Sequence, residues 1–428
     1  MHSNRSGRRR FLKHGAVLAA LAAGTPDLAA GQSEVPDTPT PEAHPKGVLT
    51  YGERSRFVNS GRGFKVGISH MTYYTPLQDS AGIITPAPLH FMQAHFARLP
   101  EIDPEQHRLT IHGMVDRPLS FSLEDLKRLP SVSRVHYLEC HGNSSYNDHI
   151  SPRVDDPRVG LPVQSIYGLT SCSEWTGVPL SVLLKEVGLQ KGASWLISEG
   201  ADAEKWHYSL PLEKALDDVM VAYAQNGEPV RPEQGYPLRL LVPGFEAPYS
   251  VKWLSHIKVV DRPYMTRDEN GNHTTVRADL GGKSRWYHWE MPQKSVITRP
   301  SAGLKLPGPG FYEITGLAWS GRGAVHRVEV STDGGRSWKD AKLQAPVLRK
   351  AHTRFTLDWT WDGEEAVLQS RCTDERGEVQ PSLAELNRHW DIISGPDHPE
   401  KKQRPFHVNA IQPWRVEKDG SVYDAMFS

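Results

Sequence analysis

Residues 133–144 read SRVHYLECHGNS, a strand-like run that ends on a cysteine followed by His, Gly and Asn. The alternation of Val135, Tyr137 and their neighbours is typical of a half-buried strand. The Gly-Asn pair readily adopts the positive φ of a tight turn. The run therefore predicts a strand that ends at Cys140 and presents the thiol to a cleft.

Cys140 has two interpretations. A thiolate is a soft ligand suited to a soft or high-valent metal, and the backbone N–H groups of the following turn can stabilise negative charge. A buried cysteine can also act simply as a small hydrophobic side chain. From the residues of this run alone, both interpretations stay open.

Length and composition limit the class of protein. A chain of 428 residues predicts two or three domains. Its 50 Lys and Arg balance 50 Asp and Glu, so the charge does not indicate nucleic acid or an anionic membrane as a general partner. The 33 prolines, 36 glycines and 12 tryptophans favour β-rich domains with many turns.

Residues 1–31 have the features of an export signal. The run GRRRFLK at 7–13 precedes an apolar run at 15–23 that is too short to span a bilayer. Paired arginines before Phe-Leu-Lys match the twin-arginine signal, whose pathway carries proteins already folded around their cofactors. A general secretory signal is the alternative. No later segment has the pattern of a membrane anchor, and we expect a periplasmic protein.

Three further segments follow the signal. The proline-rich stretch 32–80 predicts an extended arm that lies along a surface. Residues 81–290 mix short strands with brief helices, which predicts a mixed α+β domain. Residues 291–428 show evenly spaced alternating strands with Gly-rich turns, which predicts an immunoglobulin-like β-sandwich. The strands expected in the sandwich lie at 311–319, 325–331, 353–359, 363–371 and 408–418.

The cysteines and histidines were tested for other redox or metal sites. Cys140, Cys172 and Cys372 are an odd number, so at least one thiol is free or ligated in an oxidising compartment. No Cys-x-x-Cys-His run occurs, and we expect no covalently attached haem. His136 and His141 flank Cys140 without the ligand pairs of a zinc motif, and are interpreted as lying behind the site or at the surface.

Four runs together resemble the sulfite oxidase family of molybdenum enzymes. They are LECHGN at 138–143, SEWTGVPL at 173–180, GYPLRLLVPG at 235–244 and VKWL at 251–254. Within the family the chain is similar to the molybdenum subunits of bacterial sulfane dehydrogenases. The runs that carry this narrower resemblance are IITP at 83–86, EGADA at 199–203, VAYAQNG at 221–227 and LPGPGFY at 306–312.

The resemblance implies a molybdopterin cofactor whose molybdenum binds the thiolate of Cys140. It also implies that the sandwich is a dimerisation domain. Arg239 and Lys252 can pair with a phosphate, and Gly177 can let the backbone approach the ring system. Core packing is the alternative for Trp175, and a solvated strand position is the alternative for Lys252. The residues that match the family's cofactor-binding runs are His95, Ser173, Trp175, Gly177, Arg239, Ser250 and Lys252.

Two positions depart from the family and bear on the substrate. Gln93 stands where relatives carry an arginine, and an amide brings no charge for anion binding unless Arg98, Arg153 or Arg158 substitutes. His273 is the counterpart of a tyrosine, and it could hydrogen-bond an oxo group or relay a proton. With Cys140, these two residues form the expected catalytic set. The segment 145–161 also differs, and we expect it to shape the cleft mouth.

The function implied is the oxidation of a sulfur compound by an oxygen atom taken from water, with electrons passed to a c-type cytochrome. The expected substrate is sulfite or sulfane sulfur on a carrier protein. The resemblance further implies a homodimer, or a heterotetramer with a cytochrome subunit. One alternative is a sulfoxide-type reductase that uses the same metal centre. Another is a non-catalytic scaffold that binds a partner, motivated by Gln93 and His273.

Overall fold

A computed structural model of the chain describes residues 58, 60–66, 71–95, 98–144, 161–271, 273–394 and 407–426. The predicted export signal, the cleft-mouth segment at 145–160, Arg153 and Arg158 lie outside the described residues. Those described from Ser60 onward belong to one folded unit. No helix within these ranges combines the length and apolarity needed to cross a membrane.

Strands dominate the part of the chain before residue 291. They are β1 Gly63–Val66, β2 Met71–Tyr74, β3 Met92–Ala94, β4 Leu109–Gly113, β5 Leu119–Phe121, β6 Val132–Glu139, β7 Thr170–Pro179, β8 Trp195–Gly200, β9 His207–Pro211, β10 Met220–Gln225, β11 Glu228–Pro229, β12 Arg239–Leu241, β13 Leu254–Val260, β14 Thr274–Val276 and β15 Arg285–Tyr287. Helices are short: α1 Leu123–Lys127, α2 Val163–Tyr167, α3 Leu180–Val187, α4 Leu212–Asp217 and α5 Arg267–Gly271. Single 3-10 turns occur at Leu77–Asp79, Ala87–Leu89, Pro232–Gln234, Ala247–Tyr249 and Ala278–Leu280.

Two five-stranded sheets organise this part. In one, the order is β11-β10-β7-β6, with β12 also paired to β10. In the other, the order is β5-β4-β13-β8-β9, where β4 and β13 run parallel and the other pairs are antiparallel. Smaller sheets form from β1-β2-β3 and from β14-β15. The combination of helices and mixed sheets confirms the predicted α+β class.

Local sequence accounts for the helix starts and faces. Ser122 caps α1, accepting a hydrogen bond from the Asp125 N–H, while the Asp125 carboxylate accepts from the Ser122 N–H. This reciprocal arrangement satisfies two backbone donors that the first turn would otherwise leave unpaired. Helix α3 buries Leu180, Leu183 and Leu184, as its 3–4 spacing of apolar residues requires.

The carboxyl-terminal part is a β-sandwich. Its elements are β16 Lys294–Arg299, β17 Gly310–Trp319, β18 Val325–Ser331, β19 Lys339–Asp340, β20 Lys342–Leu343, β21 Thr353–Trp361, β22 Ala366–Asp374, α6 Leu383–Ser394, β23 Trp414–Val416 and β24 Val422–Asp424. One sheet has the order β16-β17-β21-β20 and the other the order β19-β18-β22-β23-β24. Between them lie the fully buried side chains of Trp319, Phe355 and Trp414. The predicted sandwich is thereby confirmed.

One hydrophobic core joins the two parts of the molecule. It includes Leu77, Tyr137 of β6 and Trp319 of β17. Leu77 falls in the stretch expected to be an arm along a surface, yet its side chain is only 1% exposed. The end of that stretch therefore contributes to a core, because Leu77 packs where β6 meets the sandwich.

Candidate active site

Cys140 lies directly after β6, as the alternation of residues 133–144 predicts. Its side chain is 5% exposed, and the Asn143 N–H donates 2.9 Å to the Cys140 carbonyl, which closes a turn. The Cys140 N–H donates to the Leu169 carbonyl at 3.0 Å. These bonds fix the backbone on both sides of the thiol.

The residue before the cysteine anchors this turn to the sandwich. The buried carboxylate of Glu139 accepts from Lys294 Nζ at 2.6 Å, Trp319 Nε1 at 2.6 Å and Asn143 Nδ2 at 2.9 Å. Three donors compensate the cost of burying its charge. Because Lys294 and Trp319 come from β16 and β17, the sandwich determines where the thiol points.

A cleft of about 730 Å³ opens beside Cys140. The structure brings most of the predicted site residues to it. Its lining includes Gln93, His95, Cys140, Arg239, Ser250, Lys252 and His273, together with Phe91, Met92, Ala94, His141, Asp202, Trp206, Gln234, Ala247, Pro248, Val251 and Trp253.

Two cations line this cleft, Arg239 buried and Lys252 partly exposed. Arg239 is 4% exposed and donates only to neutral oxygens: the Ser250 carbonyl at 3.2 Å, and the carbonyl and side-chain Oε1 of Gln234 at 3.2 and 3.0 Å. Lys252 Nζ likewise donates to backbone carbonyls, at 2.9 Å to Gln93 and 3.3 Å to Glu233. No charged neighbour acts appreciably on Arg239, whereas the charges of Asp202 and Glu233 act on Lys252. A buried guanidinium that donates only to neutral oxygens predicts an anionic ligand.

Burial sets the proton affinity of these groups. It lowers the pKa of Lys252 to about 7 and that of Arg239 to about 9. It raises the pKa of Cys140 to about 12. The cleft therefore favours a ligand that brings negative charge to the lysine and arginine and positive charge to the sulfur. Lys252 is partly exposed, and its Nζ lies at the cleft against backbone carbonyls.

Gly235 lets Lys252 approach the cleft floor. Its φ is +109°, and a Cβ at this position would lie 2.9 Å from the Cβ of Lys252. Only glycine combines that backbone conformation with the close approach.

Gln93 is next to the thiol. The Cys140 Sγ donates to Gln93 Oε1 at 3.0 Å, and the backbone carbonyl of Gln93 accepts from Lys252. The position that the resemblance predicts to be an arginine in relatives therefore lies beside the candidate metal ligand. Arg98, one expected substitute, is exposed and does not line the cleft.

Three predicted cofactor-binding residues on β7 do not line the cleft. Ser173 Oγ accepts from Gln225 Nε2 at 2.9 Å within the sheet. Trp175 is fully buried, with the Arg239 guanidinium 5.4 Å from its ring, so core packing describes it and it supports the arginine from behind. At Gly177 a Cβ would lie 2.1 Å from the Val221 carbonyl oxygen. The absence of a side chain therefore lets β7 approach strand β10, whereas the prediction was an approach to the cofactor.

The histidines near Cys140 occupy different places. His141 is partly exposed and lines the cleft, with its ring centroid 4.0 Å from that of His273. His136 is buried outside the cleft, where its Nδ1 lies 3.3 Å from the Lys350 carbonyl oxygen. His273 lines the cleft and its Nδ1 lies 2.5 Å from Glu246 Oε2.

Sequence reasoning missed Glu246 and His407. The buried Glu246 carboxylate contacts His273 through one oxygen and His407 Nε2 through the other. The available signal was a lone acidic residue in the apolar stretch 238–251. A buried carboxylate at such a position requires partners, which the sequence does not name.

The donor set fits the implied metal cofactor. No group of three or more His, Cys, Asp or Glu side chains suited to hold an ion occurs within the ranges that the structure describes. A metal at Cys140 would therefore take one thiolate from the protein and its remaining ligands from a non-protein group. All three cysteines are free, which leaves Cys140 available.

Comparisons with known proteins agree with this geometry. Residues 95–267 match the family model "Oxidoreductase molybdopterin binding domain", and residues 285–395 match "Mo-co oxidoreductase dimerisation domain". The solved structure of the sulfane dehydrogenase SoxCD from Paracoccus pantotrophus is 37% identical, with a TM-score of 0.77, covering 94% of this chain and 99% of that one. The chain belongs to the sulfite oxidase family of molybdopterin oxidoreductases. This family assignment confirms the expected molybdenum cofactor.

This chain is also similar to nitrate reductases of a green alga and of flowering plants. The NADH nitrate reductase of Ulva prolifera is 31% identical over 71% of this chain and 38% of its own length. The inducible NADH nitrate reductase 2 of Glycine max is 33% identical over 72% of this chain and 39% of its own length. The chain thus spans about two fifths of these enzymes. Family membership alone therefore leaves the direction of oxygen transfer open.

Proposed function

We propose that this protein is an exported molybdenum enzyme that oxidises a sulfur compound and passes the electrons to a c-type cytochrome. The substrate is sulfite or sulfane sulfur on a carrier protein. The observation that carries the proposal is the thiol of Cys140 facing a cleft lined by two cations, Arg239 and Lys252, whose hydrogen bonds go to neutral oxygens. The likeness to the sulfane dehydrogenase SoxCD over nearly the whole chain supports the sulfur substrate.

Different cleft residues would bind different parts of the cofactor. Cys140 supplies the thiolate for the metal, and Arg239 and Lys252 neutralise the anionic tail. Ser250 lines the cleft, and its Oγ accepts from the Val242 N–H at 3.0 Å. His95 lies against Trp206 with ring centroids 4.6 Å apart, which positions it at the cleft wall. When bound, the molybdenum centre supplies oxygen-atom transfer and storage of two electrons.

The cleft selects its substrate mainly by charge. Burial lowers the pKa of His95 and His273, so both rings are neutral at neutral pH. Gln93 contributes an amide beside the sulfur and no charge. Positive potential therefore comes from Lys252 and Arg239, and part of it is used by the cofactor. We infer weaker binding of small anions than in relatives with an arginine at this position.

A second candidate function runs the same centre in the reductive direction. The similarity to nitrate reductases supports it, since those enzymes remove an oxygen atom from an oxyanion. Dithionite-driven reduction of nitrate or of a sulfoxide by the purified protein, without oxidation of any sulfur donor, would establish this direction. A non-catalytic scaffold instead predicts a folded, correctly processed protein without molybdenum.

We further propose twin-arginine export to the periplasm and assembly through the sandwich. The match of residues 285–395 to a dimerisation domain supports a homodimer, or a heterotetramer with a cytochrome subunit. Light scattering of the purified protein, alone and with its cytochrome, distinguishes these states. A monomer under both conditions would contradict the assembly.

The decisive experiment combines metal analysis with turnover. The exported protein should contain about one molybdenum per chain. It should also reduce cytochrome c when supplied with sulfite or with a carrier protein bearing sulfane sulfur. Molybdenum without turnover of any sulfur donor would contradict the proposed substrate and favour the reductive candidate.

A further inference from the structure

Glu246 is a carboxylate with no exposed surface that contacts two imidazoles. Its Oε2 lies 2.5 Å from Nδ1 of His273, and its Oε1 contacts Nε2 of His407. These residues come from three separate segments of the chain, at the 3-10 turn after β12, before β14 and before β23. The result is a continuous hydrogen-bonded row of imidazole, carboxyl and imidazole.

The two ends of this row face different cavities. His273 lines the cleft beside Cys140. His407 lines a second cavity of about 1490 Å³, bounded by Trp286, His288 and Trp390 on the inner side. Exposed carboxyl groups of Glu378 and Glu385 also line this second cavity, so it reaches the protein surface. The row is therefore a polar connection from the catalytic cleft to a solvent-accessible space.

We propose that His273, Glu246 and His407 form a proton relay between the Cys140 cleft and the second cavity. The inference rests on the proposed function, because that reaction releases protons in the cleft. A sulfur substrate and one water give the oxygenated sulfur product, two protons and two electrons. The electrons leave to a one-electron acceptor such as a cytochrome, and the row offers the protons a route to solvent that is separate from the substrate's entrance.

Each transfer along the row balances. In the starting state Glu246 is the carboxylic acid with its proton on Oε1, as its raised pKa requires, and both imidazoles are neutral. His273 takes a proton from the cleft on its second ring nitrogen, its Nδ1–H bond breaks and an O–H bond forms at Glu246 Oε2. At the other oxygen of Glu246 an O–H bond breaks and an N–H bond forms at His407 Nε2. His407 then releases a proton from its second nitrogen to the second cavity, and reorientation restores the starting state.

Burial brings the proton affinities of the three groups together. It raises the pKa of Glu246 well above its usual value, assisted by the negative charge of Glu139. It lowers the pKa of His273 and His407 well below theirs. Carboxyl and imidazole thus approach each other in proton affinity, and transfer between them costs little free energy. The charged or titratable groups that interact with the row are Glu139, Lys294, Arg322, His95, His141, His288, Cys140, Tyr208 and Tyr249.

The test uses the molybdenum-loaded enzyme with Glu246→Gln and His407→Phe, which keep the shape of the row and remove its proton exchange. Glu269→Gln is the matched control, since Glu269 is also fully buried but accepts from Ser209 and Thr266 outside the row. With the sulfur donor that the wild type oxidises, and ferricyanide as acceptor, kcat of both relay variants should fall on the order of 100-fold. KM should change little, and the solvent deuterium isotope effect on kcat should increase.

A second readout needs no turnover. The infrared carboxyl band that disappears in Glu246→Gln should exchange with D₂O in the cofactor-free protein, and His407→Phe should slow that exchange. Relay variants that match Glu269→Gln in kcat and isotope effect, or unchanged exchange in His407→Phe, would overturn the relay. Slowed exchange in His407→Phe, together with a wild type that oxidises no sulfur donor, would support the relay and contradict the proposed function alone.

Discussion

The ammonium group of Lys294 lies 2.6 Å from the carboxylate of Glu139, and both side chains have no exposed surface. Glu139 directly precedes Cys140, whereas Lys294 begins the first strand of the sandwich. Lys294 Nζ also donates to Ser144 Oγ at 3.0 Å, on the far side of the turn. One ammonium group therefore holds both ends of the turn that presents the thiol.

Removing Lys294 should destabilise the protein and displace the thiol. Lys294→Met leaves Glu139 buried without its cation, and we expect a loss of about 3–5 kcal/mol in free energy of unfolding. Denaturant unfolding measures this loss, and metal analysis of the same preparation should show less molybdenum per chain.

The matched control for Lys294 is Lys305→Met at the exposed pair with Asp419. Those side chains are 63% and 61% exposed, so the loss should stay below about 1 kcal/mol. The double variant Glu139→Gln with Lys294→Met should recover part of the stability, since no uncompensated charge remains. Equal losses for Lys294→Met and Lys305→Met would contradict the anchoring role.

Cys140→Ser should abolish molybdenum binding and turnover, while the chain still folds. A serine hydroxyl replaces the thiolate without changing the turn, and it is a poor ligand for a soft metal. Cys172→Ser is the control, because Cys172 is equally buried on β7 but does not line the cleft. Metal analysis and circular dichroism of both variants separate loss of the ligand from loss of the fold. Full activity in Cys140→Ser would refute the assigned role.

Gln93→Arg should strengthen the binding of anionic substrates. The new guanidinium would lie near the Cys140 sulfur, where Gln93 Oε1 is now at 3.0 Å. A gained charge-assisted hydrogen bond of about 1.4 kcal/mol corresponds to an approximately tenfold lower KM for sulfite. Gln93→Met, uncharged and similar in length, is the control and should not lower KM. An unchanged KM in Gln93→Arg would show that this position does not contact the anion.

Anion binding to the cofactor-free protein should weaken as the pH rises. Burial lowers the pKa of Lys252 to about 7, so the ammonium is charged below that pH and neutral above it. Inorganic phosphate should therefore raise the melting temperature more at about pH 6 than at about pH 8.5. A bound anion raises the pKa of Lys252, which moves the midpoint upward.

Lys252→Met should remove most of this pH dependence, because Arg239 stays charged with a pKa of about 9. Phosphate stabilisation that is equally pH-dependent in Lys252→Met would assign the effect to other groups. Differential scanning fluorimetry over a range of phosphate concentrations gives the comparison.

Several elements could be predicted from the chain because their signals are local. The alternation in residues 133–144 predicts β6 and the thiol at its end, and the structure has both. The strand predicted at 325–331 coincides with β18, in which Val325 and Val328 are buried while His326 and Arg327 between them are exposed. Capping at Ser122 predicts the start of α1, since the cap and its partner are three residues apart.

Other positions could not be assigned from the sequence, because a residue there has two possible environments. Gly177 and Trp175 match a cofactor-binding run, but β10 and the Arg239 guanidinium occupy the space beside them. A glycine in a strand indicates close approach without naming what approaches. The burial of Lys252 was likewise left open, because a lysine in a strand usually remains solvated.

The sequence by itself determined the class of fold, the family and the chemistry of the site: a thiol after a strand, an arginine and a lysine for an anion, and an uncharged Gln93. Only the tertiary structure decided that Lys294 contacts Glu139 across 155 residues and that His407 contacts Glu246 across 161. The physical reason is that hydrophobic period and turn chemistry act between near neighbours, so they leave a pattern in the chain. A buried charge also requires a partner, but any segment that packs nearby can supply that partner, so the sequence carries no local sign of it.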